Sequence, residues 1–369
     1  MSDTTGVQTT TIQSDRALRP EAYVSLDTVR QNYLALKNFA SGSETAAVVK
    51  ADCYGHGMNK CAPALRDAGC TTFFVAYLHE GQELRSLLGS SPEILVFNGI
   101  QKDEVSGFVD SNLIPVCNRR EDIDLVLGSA LSDRYAIHFD TGMNRLGIRF
   151  DQFEDIAART KACPPTLVMS HVACADQPDH PLNGIQLDRF NAIADAFPEA
   201  QKSLSATAAM YLGPEYHFDL TRPGIGLYGG GPARPVGLKL KTALTLTAPI
   251  LSVFDVPEGE SVGYGASFSA RSATRIATVA LGYADGYLRS GGNYGFGVLD
   301  GLPCPIVGRI SMDLITIDVS DLPNPPEIGK HVEFIGAQAG YEIQAEALGT
   351  LGYELTSRLG GRISRSWDK

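Results

Sequence analysis

The chain has 369 residues, of which 44% are hydrophobic and 20% are charged, and its formal net charge is −11 at pH 7. This composition is typical of a globular protein, and the length exceeds that of one average domain. The negative charge and the lack of long Lys or Arg runs argue against binding to nucleic acid or to an anionic membrane. No apolar stretch is long enough to span a membrane, so we expect a cytoplasmic protein.

The N-terminal residues and the cysteines add two further expectations. Residues 1–15 are polar and lack a signal-peptide pattern, so we expect a disordered tail there. The seven cysteines are scattered, odd in number and without a C-x-x-C motif, which argues for reduced thiols. The seven histidines lack the spacing of metal ligands, and we expect no metal site.

Between about residues 44 and 225, short apolar runs alternate with longer amphipathic stretches, which is typical of repeated βα units around a parallel sheet. Eight such runs fit a closed (β/α)8 barrel of the TIM type, whose active site lies at the carboxyl ends of the strands. The predicted strands are Ala46–Ala51, Thr72–Ala76, Ile94–Phe97, Leu113–Val116, Tyr135–Phe139, Thr166–Ser170, Ser203–Ala206 and Leu220–Leu227.

Beyond about residue 240 the pattern changes to alternating apolar and polar residues with frequent turns, as in KLKTALTLTAPILSVFDV (239–256). This pattern predicts a mostly-β C-terminal domain. We place the barrel domain at residues 16–240, with the qualification that its first strand could join the β domain, and the β domain at 241–369.

The most informative segment is AAVVKADCYGHG, residues 46–57. A lysine at the end of a barrel strand brings its amine to the barrel mouth, where burial or a nearby cation lowers its pKa and makes it nucleophilic. The glycines that follow allow a close approach of the backbone to a phosphate. Taken alone, a lysine at a strand end more often extends into solvent, and the flanking residues decide against that here.

The string VVKADCYGHG resembles the signature VxKAxAYGHG of the alanine racemase family, whose members use pyridoxal 5′-phosphate (PLP) to interconvert L- and D-alanine. The resemblance implies that Lys50 carries PLP as a Schiff base and that Tyr54 contacts the PLP phosphate. Cys53 replaces the usual alanine of the family, which is a change between two small residues. The resemblance extends from about Tyr23 to Tyr353.

HFDTGMNRLG (138–147) is similar to the DTGMxRLG stretch of the family. This similarity implies that Arg145 binds the phenolic oxygen of PLP and the substrate carboxylate, work that suits the fixed donors of a guanidinium. Some members carry a carboxylated lysine at the position of His138, where its charge orients the arginine. Asp140 or a bound anion such as chloride would have to orient Arg145 here.

SHVACAD (170–176) and LTRPGIGLYG (220–229) resemble the SHxAxAD and VRPGIxLYG segments of the family. The resemblance implies that Arg222 faces the pyridine nitrogen of PLP and that His171 binds Arg222 beside the ring. A single histidine at a strand end is, however, often purely structural. Most PLP enzymes place a carboxylate at the pyridine nitrogen, whereas an arginine does not keep it protonated. The arginine therefore favours racemisation over transamination or decarboxylation.

The PLP phosphate is expected at the backbone amides of Gly224 and Ile225 and at the hydroxyl of Thr207. Thr207 lies in ATAA (206–209), where relatives often have NSAA. Loops after the seventh and eighth strands bind phosphate in many barrels. Some members add a tyrosine near the C-terminus; this chain has Gly361 at that place in the sequence comparison, and we assign no residue to the contact.

In the β domain, SVGYGA (261–266) and VGRISMD (307–313) resemble the family motifs VGYGxxxxA and VGRxSMD. By this resemblance Tyr264 is the second catalytic base, opposed to Lys50, and the Met312 amide binds the substrate carboxylate. An interior aromatic residue is the structural alternative for Tyr264. In the family this tyrosine acts in the site of a partner subunit, which implies a head-to-tail homodimer with composite active sites.

The resemblance thus predicts an alanine racemase that serves D-alanine supply for peptidoglycan or alanine catabolism. Three alternatives share the barrel and its lysine: a broad-specificity amino-acid racemase, a PLP decarboxylase and a non-catalytic PLP-carrier protein. Decarboxylases usually place a carboxylate at the pyridine nitrogen, and carriers lack the second domain.

Overall fold

The structure is a computed structural model that describes residues 18–368. The predicted disordered tail at residues 1–15 lies outside these residues. Within them the chain forms two units: one comprises residues 24–244, 351–357 and 367–368, and the other comprises 18–23, 245–350 and 358–366. No helix in the described part is both long and apolar enough to cross a membrane.

The unit that begins at residue 24 is built around parallel strands. It is preceded by β1 (Glu21–Val24), a strand of the other unit's sheet. The barrel strands are β2 (Glu44–Thr45), β3 (Ala47–Val48), β4 (Thr72–Val75), β5 (Glu93–Val96), β6 (Ile114–Cys117), β7 (Ala136–Asp140), β8 (Ile148–Arg149), β9 (Leu167–Met169), β10 (Gln201–Ser203) and β11 (Leu220–Thr221).

These strands form a closed ring. The sheet runs in the order β10-β9-β7-β6-β5-β4-β3, β8 pairs with β7, and β11 pairs in parallel with β2. The remaining gap is closed by a parallel bridge between Ala206 and Arg222, in which the Arg222 amide donates to the Ser205 carbonyl at 2.8 Å. The predicted (β/α)8 fold class is therefore confirmed, with β2 and β3 together forming the first strand position.

Helices fill the connections between the strands, as the βα pattern predicts. They are α1 (Leu26–Phe39), α2 (Lys50–Gly55), α3 (Met58–Asp67), α4 (Leu78–Leu88), α5 (Val105–Asp110), α6 (Arg120–Leu127), α7 (Phe153–Thr160) and α8 (Pro181–Ala196). Short 3-10 helices occur at Lys102–Glu104, Phe150–Gln152, Ala209–Tyr211, Pro214–Tyr216 and Ile225–Tyr228.

The barrel interior is filled by side chains from almost every strand. The strands carry unbroken apolar runs because both of their faces are buried, one in the barrel and one under the helices. The central cluster consists of Ala46, Val48, Phe74, Leu95, Ile114, Val116, Ala136, Leu167, Met169 and Leu220. This packing fixes the strand ends, and with them the residues that follow each strand.

Three predicted strands differ clearly from the observed ones. The seventh was predicted at Ser203–Ala206, but β10 comprises Gln201–Ser203, and the first and the eighth are shorter than predicted. The first was predicted to extend to Ala51, but β3 ends at Val48 and Lys50 begins α2. The eighth was predicted as Leu220–Leu227, but β11 ends at Thr221. Pro223 has no N–H for a strand ladder, and only its carbonyl is used, by the Val48 amide at 3.0 Å.

The second unit is mostly β, as predicted. Its sheet has the order β17-β16-β19-β12-β1-β20, with β15 paired to β12 and β18 paired to β15. Its strands are β12 (Leu244–Val256), β13 (Ser261–Val262), β14 (Phe268–Ser269), β15 (Thr274–Val279), β16 (Phe296–Leu299), β17 (Leu302–Pro305), β18 (Ile315–Asp318), β19 (His331–Ile335) and β20 (Ser364–Trp367).

Few helices accompany this sheet. They comprise α9 (Tyr341–Leu348) and the 3-10 turns Tyr264–Ala266, Tyr283–Asp285 and Arg289–Gly291. The next helix, α10 (Gly352–Ser357), groups instead with the barrel unit. A late segment of the chain therefore returns to the barrel, a feature that the change in sequence texture near residue 240 does not reveal.

Candidate active site

A cavity of about 660 Å³ opens at the carboxyl ends of the barrel strands. Its walls come from the segments that follow the strands, because parallel strands end together at one edge of the barrel. All the barrel residues that the sequence assigns to catalysis or cofactor binding line this cavity: Lys50, Tyr54, Arg145, His171, Thr207, Arg222, Gly224 and Ile225.

Lys50 reaches the cavity from an unusual backbone turn. The Val49 amide donates to the Phe74 carbonyl at 2.9 Å and so still follows the sheet, and α2 begins at the next residue. Residues 51–54 then have φ between 51° and 55°, a left-handed turn of four residues of which none is glycine. Such a conformation costs roughly 1–2 kcal/mol per residue, so surrounding contacts must hold it.

The surroundings of Lys50 favour its neutral amine. Burial and then the positive charge of Arg145 lower its pKa, while the carboxylate of Glu80 opposes them. The Lys50 Nζ also lies 5.7 Å from the centre of the Phe97 ring, against the apolar wall of the cavity. A lysine with a lowered pKa in such a place can act as a nucleophile or a base.

A narrow cradle for an anionic group lies after the seventh and eighth strands. The Thr207 hydroxyl accepts from the backbone amides of Gly224 at 3.0 Å and Gly226 at 3.3 Å. A Cβ atom at position 224 would lie 2.3 Å from the Tyr54 hydroxyl, so any side chain there would displace Tyr54. Burial raises the pKa of Tyr54, which therefore remains a hydrogen-bond donor. These are the groups that hold phosphates in barrels.

Arg222 is among the largest fully buried side chains in the described chain, with an exposed fraction of 2%. Its guanidinium donates to the Ser203 hydroxyl, to the Ser170 carbonyl at 2.6 Å and to the Leu204 carbonyl at 3.4 Å. No carboxylate within the described residues forms an ion pair with it, and burial lowers its pKa to about 9. The cavity thus contains a cation held by neutral acceptors.

Two histidines stand beside this cation in neutral form. Burial, then the charges of Arg222 and Arg145, lower the pKa of both His138 and His171 to about 3. The ring Nδ1 of His138 lies 2.9 Å from the Asn118 side-chain oxygen. An imidazole in this state carries no charge with which to replace a carboxylated lysine.

The structure does not support Asp140 as the residue that orients Arg145. One Asp140 oxygen accepts from the amides of Gly142, Met143 and Asn144 at 2.9–3.1 Å, and the other faces Arg149 at 3.4 Å. The carboxylate therefore shapes the loop that leads to Arg145. Of the two candidates from the sequence, a bound anion is the one that these contacts leave open.

Sequence reasoning missed a tyrosine in the cavity wall. Tyr353 of α10 lines the cavity, and its ring centre lies 6.2 Å from that of Tyr54. The sequence comparison instead reached Gly361, which belongs to the β-domain unit. The aromatic residue in GYEL (352–355) is the sequence feature that could have indicated this position.

The two predicted site residues of the β unit are on its surface. The side chains of Tyr264 and Met312 have exposed fractions of 72% and 53%. Tyr264 lines an open hollow of about 470 Å³ together with Thr278, Arg309 and Leu314. The structural alternative from the sequence, an interior aromatic residue, does not describe Tyr264.

The mouth of this closed parallel barrel contains a desolvated lysine, a cradle for an anion and a buried arginine. These features define a barrel protein with a cofactor-sized site around a lysine. The family models that match the chain are the alanine racemase N-terminal domain at residues 24–232 and the alanine racemase C-terminal domain at residues 243–367. The chain belongs to the alanine racemase family, as the sequence motifs predicted.

Individual relatives agree with the family models. An alanine racemase of Rhodospirillum rubrum is 42% identical over 353 residues, which cover 93% of this chain and 94% of the relative. A crystal structure of the Bartonella henselae alanine racemase with covalently bound pyridoxal phosphate superposes with a TM-score of 0.90, at 32% identity over 95% of this chain and 99% of the other. The biosynthetic alanine racemase of Pseudomonas aeruginosa gives a TM-score of 0.90 at 36% identity, covering 95% and 100% of the two chains.

Proposed function

We propose that the chain is an alanine racemase, a PLP enzyme that interconverts L-alanine and D-alanine. The observation that carries the proposal is the presence in one cavity of the desolvated amine of Lys50 and the buried Arg222, which no described carboxylate neutralises. The family models, the relatives named alanine racemase and the PLP-containing structural neighbour support it.

The residues of the cavity fit PLP. Tyr54, the Thr207 hydroxyl and the Ile225 amide would hold its phosphate. The Gly224 amide instead donates to Thr207, and Gly224 leaves the space that a side chain would fill. Tyr353 lies beside Tyr54 and is a further candidate for this contact. Lys50 would attach the cofactor covalently, as its lowered pKa permits.

When bound, PLP supplies the electron sink that acidifies the Cα–H bond of an amino acid. Lys50, which would hold the cofactor in the resting protein, would act as a base on one face of Cα and exchange the proton of D-alanine. Tyr264 serves the opposite face and exchanges the proton of L-alanine. Arg145 and the Met312 amide hold the substrate carboxylate, which keeps Cα between the two bases.

Arg222 and His171 set the outcome of the reaction. Arg222 would face the ring nitrogen of the cofactor, with His171 beside it, and has no described acidic partner from which to relay a proton. Arg222 would leave that nitrogen unprotonated, a state in which PLP would supply weaker charge withdrawal from Cα and so would favour return of the proton to Cα. This arrangement favours racemisation over transamination and decarboxylation.

The active protein is a head-to-tail homodimer in this proposal. Tyr264 and Met312 are exposed on the β unit, although their assigned roles require a closed site. A second copy whose barrel mouth covers this surface would bury both residues and provide a composite site at each end of the dimer. A carrier protein without the second domain would need no such surface, and this chain matches the C-terminal family model.

Incubation with L-alanine in deuterated water tests the reaction class. We expect loss of optical activity together with deuterium at Cα, because the proton is replaced from solvent-exchanging bases. The same assay with serine and with larger amino acids separates a specific from a broad-specificity racemase. PLP binding without Cα exchange would contradict the proposal and favour a carrier protein.

The physiological direction is a separate part of the proposal. The Pseudomonas aeruginosa neighbour is named as a biosynthetic enzyme. Supply of D-alanine for peptidoglycan is therefore the role that we propose first, and alanine catabolism is the alternative. Dependence of growth on added D-alanine after deletion of the gene distinguishes them, since a catabolic enzyme would be dispensable on rich medium.

A further inference from the structure

Glu80, in the first turn of α4, has a buried carboxylate that binds two separate segments of the barrel. One oxygen accepts from the amide of Ala51, the residue after Lys50, at 2.7 Å. The other accepts from the amides of Ala76 and Tyr77 at 2.8 Å and 3.1 Å. The side chain is only 9% exposed and has no ion-pair partner in the part of the chain that the structure describes.

The contacts to Ala76 and Tyr77 are the ordinary work of a helix cap. Glu80 is the third residue of α4, and its carboxylate satisfies amides at the start of the helix. The contact to Ala51 has a different character, because it crosses to the preceding βα unit. It is also the first hydrogen bond after Lys50, at the start of the left-handed turn of residues 51–54.

Asp122 of α6 shows what such a cap does elsewhere in the same barrel. One of its oxygens accepts from the Asn118 and Arg119 amides at 2.9 Å and 3.1 Å, as in α4. Its second oxygen binds the Arg119 guanidinium at 2.6 Å and thus stays within its own βα unit. The second oxygen of Glu80, by contrast, accepts from Ala51 in the left-handed turn of residues 51–54.

A second contact joins the turn to α3. Asp52, the second residue of the turn, accepts from the Met58 amide at 2.6 Å at the start of α3. Glu80 therefore holds the first residue of the turn, and the Asp52 carboxylate joins the second residue to α3. Since four non-glycine residues carry a backbone penalty there, loss of the Glu80 contact should loosen the start of the turn.

We propose that Glu80 is a positioning residue for Lys50: its carboxylate holds the Ala51 amide and thereby keeps the strained turn that directs the lysine into the cavity. The inference rests on the proposed function only in that Lys50 is the residue that carries PLP. The charge of Glu80 also acts on Lys50, which Arg145 and His171 face as well, but the hydrogen bond is what sets the geometry.

The test compares Glu80→Gln with Asp122→Asn as the matched control. A glutamine has one acceptor oxygen, which should stay with the two cap amides of Ala76 and Tyr77, so its NH₂ group would face the Ala51 amide and lose that hydrogen bond. Hydrogen exchange is followed by mass spectrometry on the full-length, PLP-loaded protein, in peptides that cover residues 50–58, 76–80 and 118–122. We expect exchange in 50–58 to rise roughly tenfold or more in Glu80→Gln, as for loss of a hydrogen bond to a charged group.

The control should change exchange at 118–122 and leave 50–58 as in the parent protein. Glu80→Asp keeps the charge and can still cap α4, but it is one methylene too short to reach Ala51 as well. It should therefore also release 50–58, and it provides the test if Glu80→Gln fails to fold. Parent-like exchange of 50–58 in Glu80→Asp would overturn the proposal.

Kinetics give a second reading of the same variants. Because Glu80 positions the lysine and does not touch the substrate carboxylate, both Glu80 variants should lower kcat with little change in KM for alanine. A rise in KM at constant kcat would contradict the positioning role. The exchange measurement does not depend on turnover, so failure of the racemase proposal would be recognised separately from failure of this one.

Discussion

The barrel unit and the β unit contain the same kind of sequence motif but present it differently. In the barrel, the predicted residues converge on one cavity, and Arg222 there is only 2% exposed. In the β unit, Tyr264 is 72% exposed beside an open hollow. The predicted residues of the barrel thus line one cavity, whereas those of the β unit lie on its open surface.

The difference has a physical origin in the two architectures. Parallel strands of a barrel all end at one rim, so residues that are far apart in sequence meet there automatically. Antiparallel strands place their turns at both ends of the sheet, and motifs in those turns need not meet. We therefore expect substitutions of barrel residues to lower activity whether or not the chain assembles. Substitution of Tyr264 should lower activity only in the assembled protein.

Lys50→Ala should have the largest effect, with loss of all racemisation, because no other described lysine lines the cavity. Borohydride should no longer fix PLP to the chain, and peptide mapping of the parent protein should find the label on Lys50. Lys60→Ala, which changes an exposed lysine of α3, is the matched control and should retain both properties. A label on another lysine would contradict the assignment of Lys50 as the residue that carries PLP in the barrel cavity.

Tyr264→Phe should lower racemisation by about 10²–10⁴-fold, the usual contribution of a general base. The ring volume is unchanged, so folding and PLP binding should persist. Exchange of the D-alanine Cα proton through Lys50 should also persist, while exchange from L-alanine fails. Tyr294→Phe is the control, since Tyr294 is a comparably exposed tyrosine of the same unit with an exposed fraction of 75%.

Subunit exchange connects this variant with the proposed dimer. Mixing Tyr264→Phe with Lys50→Ala chains should regenerate one intact site in each heterodimer, and hence activity. If heterodimers form but remain inactive, both bases act within one chain, and the exposure of Tyr264 needs another explanation.

Much of the barrel site was predictable because each motif directly follows a strand. Lys50, Arg145, His171 and Arg222 all line the predicted cavity, since knowing where a barrel strand ends is enough to place the next residues. The exact strand ends were less accessible. Lys50 lies beyond its strand, and the left-handed turn after it runs against the preferences of its residues.

The contacts between distant segments could not be predicted from local patterns. Glu80 has the sequence context of an ordinary helix cap, and only the packing of neighbouring βα units brings it to Ala51. Tyr353 reaches the cavity because α10 returns to the barrel after the β unit. Such contacts depend on the tertiary structure, and local sequence motifs carry no information about them.

Arg222→Glu should slow racemisation by roughly 10- to 100-fold, by analogy with residues that orient a reactive group through a hydrogen bond. A carboxylate in this place would keep the cofactor nitrogen protonated, so the amount of pyruvate formed per racemisation event should rise. Arg222→Lys retains the positive charge and should form little pyruvate. An unchanged ratio of the two products in Arg222→Glu would show that this side chain does not govern reaction specificity.

Substitution of His138 should have the smallest effect. It should change the pH dependence of the free energy of unfolding and leave turnover unchanged. Burial and two nearby arginines lower its pKa to about 3, against an ordinary value of 6.5, so below pH 6.5 the unfolded chain binds the proton more strongly than the folded one. The stability that this neutral histidine contributes is complete above pH 6.5 and is lost as the pH falls towards 3. The slope for one such group is at most about 1.4 kcal/mol per pH unit.

Urea unfolding at a series of pH values measures this slope, with the fluorescence of Trp367 as the signal. Trp367 is the only tryptophan of the chain and donates to the His56 carbonyl at 2.9 Å, so its emission reports on the barrel unit. His138→Asn retains a donor for Asn118 but cannot take up a proton, and its stability should fall less steeply between pH 6.5 and 4. His79→Asn changes an exposed histidine and should keep the parent slope. If His138→Asn and the parent protein show equal slopes, His138 is not the desolvated neutral group described, and the cause of the acid sensitivity must lie elsewhere in the barrel.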